Sequence, residues 1–118
     1  TQYMHTLWFT LRFTKTIRYE EIMENLYSSE FLMVTEKMSS NKVFSFGRDH
    51  GYHGRLLSHG VVVEQSLHVK DNTLTGYCFT PQDGNALLSS VAGTVQHYYK
   101  DDWKDRMEIF NRYIFKNI

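Results

Sequence analysis

The chain has one cysteine, one proline, no net charge and no long apolar run in its 118 residues. A single thiol, Cys78, excludes an internal disulfide and fits a reducing compartment, so the cytoplasm is the expected location. Thirteen basic side chains balance thirteen acidic ones. The chain therefore lacks the basic excess with which nucleic-acid binders collect phosphates, and no nucleic-acid partner is expected. No segment approaches the roughly 20 apolar residues that span a bilayer, and Thr1-Gln2-Tyr3-Met4-His5 has neither the basic nor the apolar part of an export signal. No membrane partner is expected either. Scarce proline beside 15% aromatic residues, eight Phe, eight Tyr and two Trp, argues against disorder. Residues 1–118 suit a single domain, which at this size removes roughly two-thirds of its unfolded surface from water without disulfides or metal.

What is present reads as α+β. Tyr3 to Thr14 alternates with period two, placing Tyr3, His5, Leu7, Phe9, Leu11 and Phe13 on one apolar face and Met4, Thr6, Trp8, Thr10, Arg12 and Thr14 on the other. Tyr19 to Tyr27 brings Ile22, Met23, Leu26 and Tyr27 onto one helical stripe, with Glu20 and Glu21 suited to the positive helix N-terminus. Phe31 to Thr35 is a short apolar strand, completing a β-α-β start. Lys42 to Phe46 is read as another strand, leading into a loop punctuated by Gly47, Gly51 and Gly54. Val61, Val63, Gln65, Leu67 and Val69 alternate along the next strand, Asp71-Asn72 turns, and Thr73 to Thr80 returns as a hairpin. After Pro81 to Asn85, Ala86, Leu87, Val91, Ala92, Val95 and Tyr98 recur at helical spacing, and a last amphipathic helix is expected over about Asp102 to Phe115. The expected fold is thus a mixed sheet with a β-α-β start, a β-hairpin and C-terminal helices packed on one face.

Candidate chemistry concentrates in two places. Phe46 to Arg55 combines the guanidinium forks of Arg48 and Arg55, the imidazoles of His50 and His53, and glycines that let backbone N–H groups approach an anion. A phosphate or carboxylate fits that set. The plainer reading is a glycine-rich connection whose arginines pair with Asp49 or neighbouring acids. His50, His53 and His59 are near neighbours, but no cysteine pair or helical His-Glu motif accompanies them, so no metal is assigned. Gln82-Asp83-Gly84-Asn85 forms a strand-to-helix turn, a common ligand position and equally an ordinary helix cap. His5, near the start of a long strand, is the candidate proton carrier, although a lone histidine on an apolar face is more often structural. Cys78, between Tyr77 and Phe79 without a basic neighbour, reads as core.

The order of these segments resembles part of the catalytic domain of glyceraldehyde-3-phosphate dehydrogenases, in particular the archaeal-type branch. Met4-His5 looks like that branch's Met-His-x-His segment, with Leu7 at the second histidine. Tyr19-Glu20-Glu21-Ile22-Met23 resembles the helix that follows, and Phe31 to Thr35 the next strand. Gly51 to Arg55 falls where the family has a Gly-Arg-x-Arg-like segment, Gln65 to Asn72 resembles its Glu-Ser-Ile-x-Val-x-Asp-Asn hairpin, and Phe79 to Asp83 its turn carrying Gln-Glu-Ser. Together these cover about Met4 to Val95. Aspartate-semialdehyde dehydrogenases share the architecture.

The resemblance implies a thiohemiacetal on an active cysteine, hydride transfer to NAD(P) and attack of phosphate on the acyl-enzyme. It assigns proton transfer to His5, the neighbourhood of the cofactor to Gln82 and Asn85, and phosphate contacts to Arg48, His50, His53 and Arg55. It also implies a homo-oligomer. The family's dinucleotide-binding domain and nucleophile-bearing loop are not among these residues, so the chain is expected to be catalytically incomplete alone and to need a cofactor-binding domain or chain. The alternative expectation is a non-catalytic α+β module that binds a partner or an anionic ligand, with Trp103, Phe110, Tyr113 and Phe115 available for contact.

Overall fold

The computed structural model describes residues 4–50, 60–81, 84–115, 117 and 118. Its elements follow one another as β1 (Met4–Arg12), α1 (Tyr19–Ser28), β2 (Leu32–Thr35), α2 (Ser40–Asp49), β3 (Gly60–Val63), β4 (His68–Lys70), β5 (Thr73–Pro81), α3 (Gly84–Tyr99) and α4 (Trp103–Met107). The strands form one mixed sheet in the order β1-β5-β3-β2, with β4 also on β5. β5 is antiparallel to β1 and β3, whereas β2 and β3 are parallel.

Each face of the sheet is covered by a different helix. α1 closes one face through Ile22, which joins Ile17 and Leu74 in a cluster flanked by Phe9, Phe13, Leu26, Leu67 and Val69. At its first turn the Arg18 N–H donates to Glu21 Oε2 at 3.3 Å. α2 closes the other face, where Val43 meets Met4, Met33, Val61, Val63, Phe79 and Ile118. The C-terminal end lies along β2: the Ile118 N–H donates to the Val34 carbonyl at 3.0 Å, and the buried Thr35 hydroxyl donates to the Ile118 carbonyl at 2.6 Å. α3 packs against β5 and α4, burying Leu88 and Met107.

Three expectations need correction. Lys42 to Phe46 lies within helix α2, because parallel β2 and β3 require a long crossover that a further short strand does not supply. Met4, placed on the polar side of its strand, is 4% exposed, whereas Leu7 and Leu11 on the supposed core side are 47% and 50% exposed. The strand is at the sheet edge and both faces carry a helix, so neither register of β1 is wholly inside. Finally, the alternation from Val61 to Val69 does not keep one face. The step from Val62 to Val69 lies opposite only Cys78 to Leu74, so the first arm carries three extra residues, coiled as a single 3₁₀ turn over Glu64–Ser66. An odd insertion transfers the pattern: Val61 and Val63 pack under α2, while Leu67 and Val69 pack under α1.

Ser66 closes this bulge. Its hydroxyl accepts the Tyr77 N–H at 2.8 Å and donates to the Val63 carbonyl at 2.7 Å, replacing ladder bonds that the extra residues interrupt. Gly76 makes room beside it, since a Cβ there would lie 2.8 Å from Leu67 Cδ2 and 3.0 Å from Phe9 Cζ. Asp71 takes a left-handed φ of 54° in the turn between β4 and β5. The same turn fastens the end of β1, because the Asn72 carbonyl accepts from the Phe13 N–H at 2.8 Å and the Asn72 side-chain amide donates to the Phe13 carbonyl at 2.9 Å.

Candidate functional site

The sheet end at which β1 begins and β5 finishes gathers the described candidates. Pairing of β1 with β5 sets Met4 opposite Pro81 and His5 opposite Thr80. His5 is exposed and lies on the α1 side of the sheet, the side opposite Met4. β5 leads from there into α3, whose first turn contains Asn85 and no acidic side chain. The structure therefore brings His5 beside the approach to α3. Gln82, the other cofactor candidate, lies outside the described residues.

Arg48 and His50 come from the last turn of α2 and the residue after it, not from an irregular loop. α2 runs back from the end of β2 towards the start of β3, so this terminus reaches the same end of the sheet, but on the face opposite His5. The Arg48 guanidinium binds its neighbour Asp49, with Nε and Nη2 each 3.1 Å from Oδ1. That is the internal pairing anticipated by the plainer reading. Both side chains are mostly exposed, so the pair contributes little to stability. His50 Nδ1 is 2.8 Å from the Phe46 carbonyl; a carbonyl only accepts, so Nδ1 carries a proton and donates it there. The ring rests against Phe46 at 4.0 Å and Phe115 at 5.5 Å between centroids. His53 and Arg55 lie outside the described residues, as does His59.

Cys78 is half-buried on β5, where it lines an apolar groove with Phe9, Leu26, Leu32, Val62 and Leu74. Burial pushes its thiol above the ordinary value. That is the opposite of what nucleophile activation requires, so this thiol is a poor thiolate donor at neutral pH.

Sequence reasoning passed over two features. Lys37 and Lys42 flank a shallow hollow with Asn41, Ser45, Phe46 and Asp49, and the Lys37 ammonium lies 5.0 Å from the Phe46 ring centroid. Only the helical reading of 40–49 would have put Lys42 on one face with Phe46 and Asp49. Tyr19, at the start of α1, lies near Glu64 of the bulge; burial, the Glu64 charge and nearby Tyr27 raise its hydroxyl above the ordinary value. No local pattern announces that pair, because the bulge creates it. Among the described residues no three His, Cys, Asp or Glu side chains gather as a metal site.

No protein-family model matches the chain, and no curated protein matches it.

Proposed function

We propose that the chain is a portion of the catalytic domain of a phosphorylating, NAD(P)-dependent aldehyde dehydrogenase of the glyceraldehyde-3-phosphate dehydrogenase type, catalytically incomplete without a cofactor-binding domain or chain. The observation that carries this reading is the β1–β5 register, which sets His5 opposite Thr80. It joins at one sheet end Met4-His5 and the Phe79 to Pro81 part of two segments that resemble the family and are far apart in sequence. The α2 terminus with Arg48 and His50 reaches that end as well, although on the other face.

In this reading NAD(P), when bound, supplies the hydride acceptor. The residues of this chain hold and move charge around it. His5, an exposed imidazole at the fixed end of a strand, exchanges the proton of a thiol nucleophile supplied by the remainder of the enzyme. The α3 N-terminus, with no acidic first-turn side chain, suits a polar oxygen of the cofactor. Arg48 and Arg55 receive phosphate, which requires Arg48 to exchange its Asp49 partner for the ligand.

The test is NAD(P) reduction by the protein as purified from its source, with a phosphorylated aldehyde and with inorganic phosphate present or omitted. Phosphate-dependent turnover is expected, and His5→Ala should lower kcat by about 10²–10⁴ with a much smaller change in KM. Absence of turnover, or an unaffected His5→Ala enzyme, would overturn the reading. A second reading, an anion-binding or interaction module without catalysis, draws on the Lys37–Lys42 hollow beside α2. It is distinguished by a phosphate-dependent rise in melting temperature in a protein that reduces no NAD(P).

Among the described residues no helix is long and apolar enough to cross a membrane.

A further inference from the structure

The open edge of β1 has a bonding pattern that can be read residue by residue. The Tyr77 N–H is taken by Ser66 on the far side of β5, and Tyr77 is the register partner of Trp8. Trp8 and Tyr77 are thus a non-hydrogen-bonded pair of the antiparallel ladder, so the Trp8 N–H and C=O point away from β5. Alternation extends the rule to Thr6 and Thr10. The Phe13 N–H supports this parity, since it points to the Asn72 carbonyl at the beginning of β5. Among the described residues no strand occupies that edge.

Edges of this kind are normally blunted by lysine, proline or a bulge. β1 has none of these along nine residues, MHTLWFTLR, and its one ordinarily charged side chain is Arg12 at the end. It also leaves Trp8 58% exposed on one face and Leu7 and Leu11 about half exposed on the other.

We propose that this edge pairs with β1 of a second copy of the chain, antiparallel about a two-fold axis at Trp8, to make one sheet continuous across a homodimer. This centre matches every outward-facing group: Trp8 with the partner's Trp8, Thr6 with the partner's Thr10, Met4 with the partner's Arg12. Antiparallel pairing holds the two Arg12 side chains at opposite ends, about 27 Å apart at the usual strand rise, whereas parallel in-register pairing would set them side by side. The threonines form cross-strand polar pairs. Trp8, already edge-on to Tyr77 with ring centroids 4.6 Å apart, would extend that contact into a four-ring cluster across the axis. This pairing depends on the sheet edge alone and not on the dehydrogenase function.

Sedimentation of the 118-residue chain, combined with residue-resolved amide exchange, tests it. A concentration-dependent dimer is expected, with Thr6, Trp8 and Thr10 amides gaining protection together as it forms. Thr10→Pro removes an outward N–H without breaking a β5 bond, and Trp8→Lys places two ammonium groups at the axis; both variants should remain folded by circular dichroism and become monomeric. The proposal is overturned by a wild-type chain that stays monomeric at about 1 mM, or by a dimer that survives in both folded variants. Protection of these three amides by a different polypeptide or by another segment of the same chain overturns it equally.

Discussion

Replacing Ser66 by alanine tests how the sheet tolerates three extra residues between β3 and β4. The hydroxyl makes two short bonds, to the Tyr77 N–H at 2.8 Å and the Val63 carbonyl at 2.7 Å, and Ser66→Ala removes both without altering the chain path. A net bond contributes about 1 kcal/mol, and an abandoned buried partner costs about 1–3 kcal/mol. Tyr77 is 40% exposed, so water recovers part of the loss at its amide. The expected destabilisation is therefore about 1.5 kcal/mol, at the low end of two full bonds. For a domain of this size that corresponds to roughly 6 °C in melting temperature. Urea titration followed by tryptophan fluorescence is a suitable assay, because Trp8 packs against Tyr77. The midpoint should fall with an unchanged slope, Ser66→Thr should restore most of it, and the Tyr77 amide should exchange faster. A change below about 0.5 kcal/mol, within the range of ordinary surface substitutions, together with an undisturbed Tyr77 amide, would refute the assignment of the bulge to this hydroxyl.

Gly76→Ala should cost about 1–3 kcal/mol through overpacking, because the added carbon would press on Leu67 and Phe9; a neutral result in the same titration would contradict the packing. Gly93→Ala should stabilise by about 0.5–1 kcal/mol, since the residue is exposed within α3 and its Cβ would meet nothing within 4 Å. Tyr19 and Cys78 hold their protons more tightly folded than unfolded. Their contribution is complete below the unfolded values and is lost as pH rises through the folded ones, above 9.0 for Cys78 and above 10.0 for Tyr19. The double variant Tyr19→Phe, Cys78→Ala should therefore show a flatter alkaline limb in melting temperature, and an unchanged limb would be evidence against both raised values.

The sequence was legible where a segment is long or its turn chemistry is local. β1, α1, β2 and α3 follow from periodicity, and Asp71-Asn72 turns where its residue types say it should. The five residues Lys42 to Phe46 were ambiguous because Val43, Phe44 and Phe46 satisfy either period over so short a window. What decides it is the parallel pairing of β2 with β3, a tertiary fact. The Glu64–Ser66 turn was hidden for a related reason: Val61, Val63, Leu67 and Val69 keep the same odd-numbered alternation on either side of it, and only the partner strand reveals the three extra residues. Of the candidate site, the approach of His5 to the β5–α3 junction depends on β1 lying beside β5, which no local pattern encodes. Arg48 was correctly foreseen as a possible partner of Asp49, but on a loop rather than on a helix.

The central functional claim turns on the nucleophile and cofactor domain that the proposed reaction needs. The most direct measurement is the intact mass of the polypeptide purified from its source, with identification of any chain bound to it. The account predicts a longer polypeptide, or a stoichiometric companion, that contributes a dinucleotide-binding fold and a cysteine labelled rapidly at neutral pH. A protein consisting of these 118 residues alone, with no companion, would contradict it.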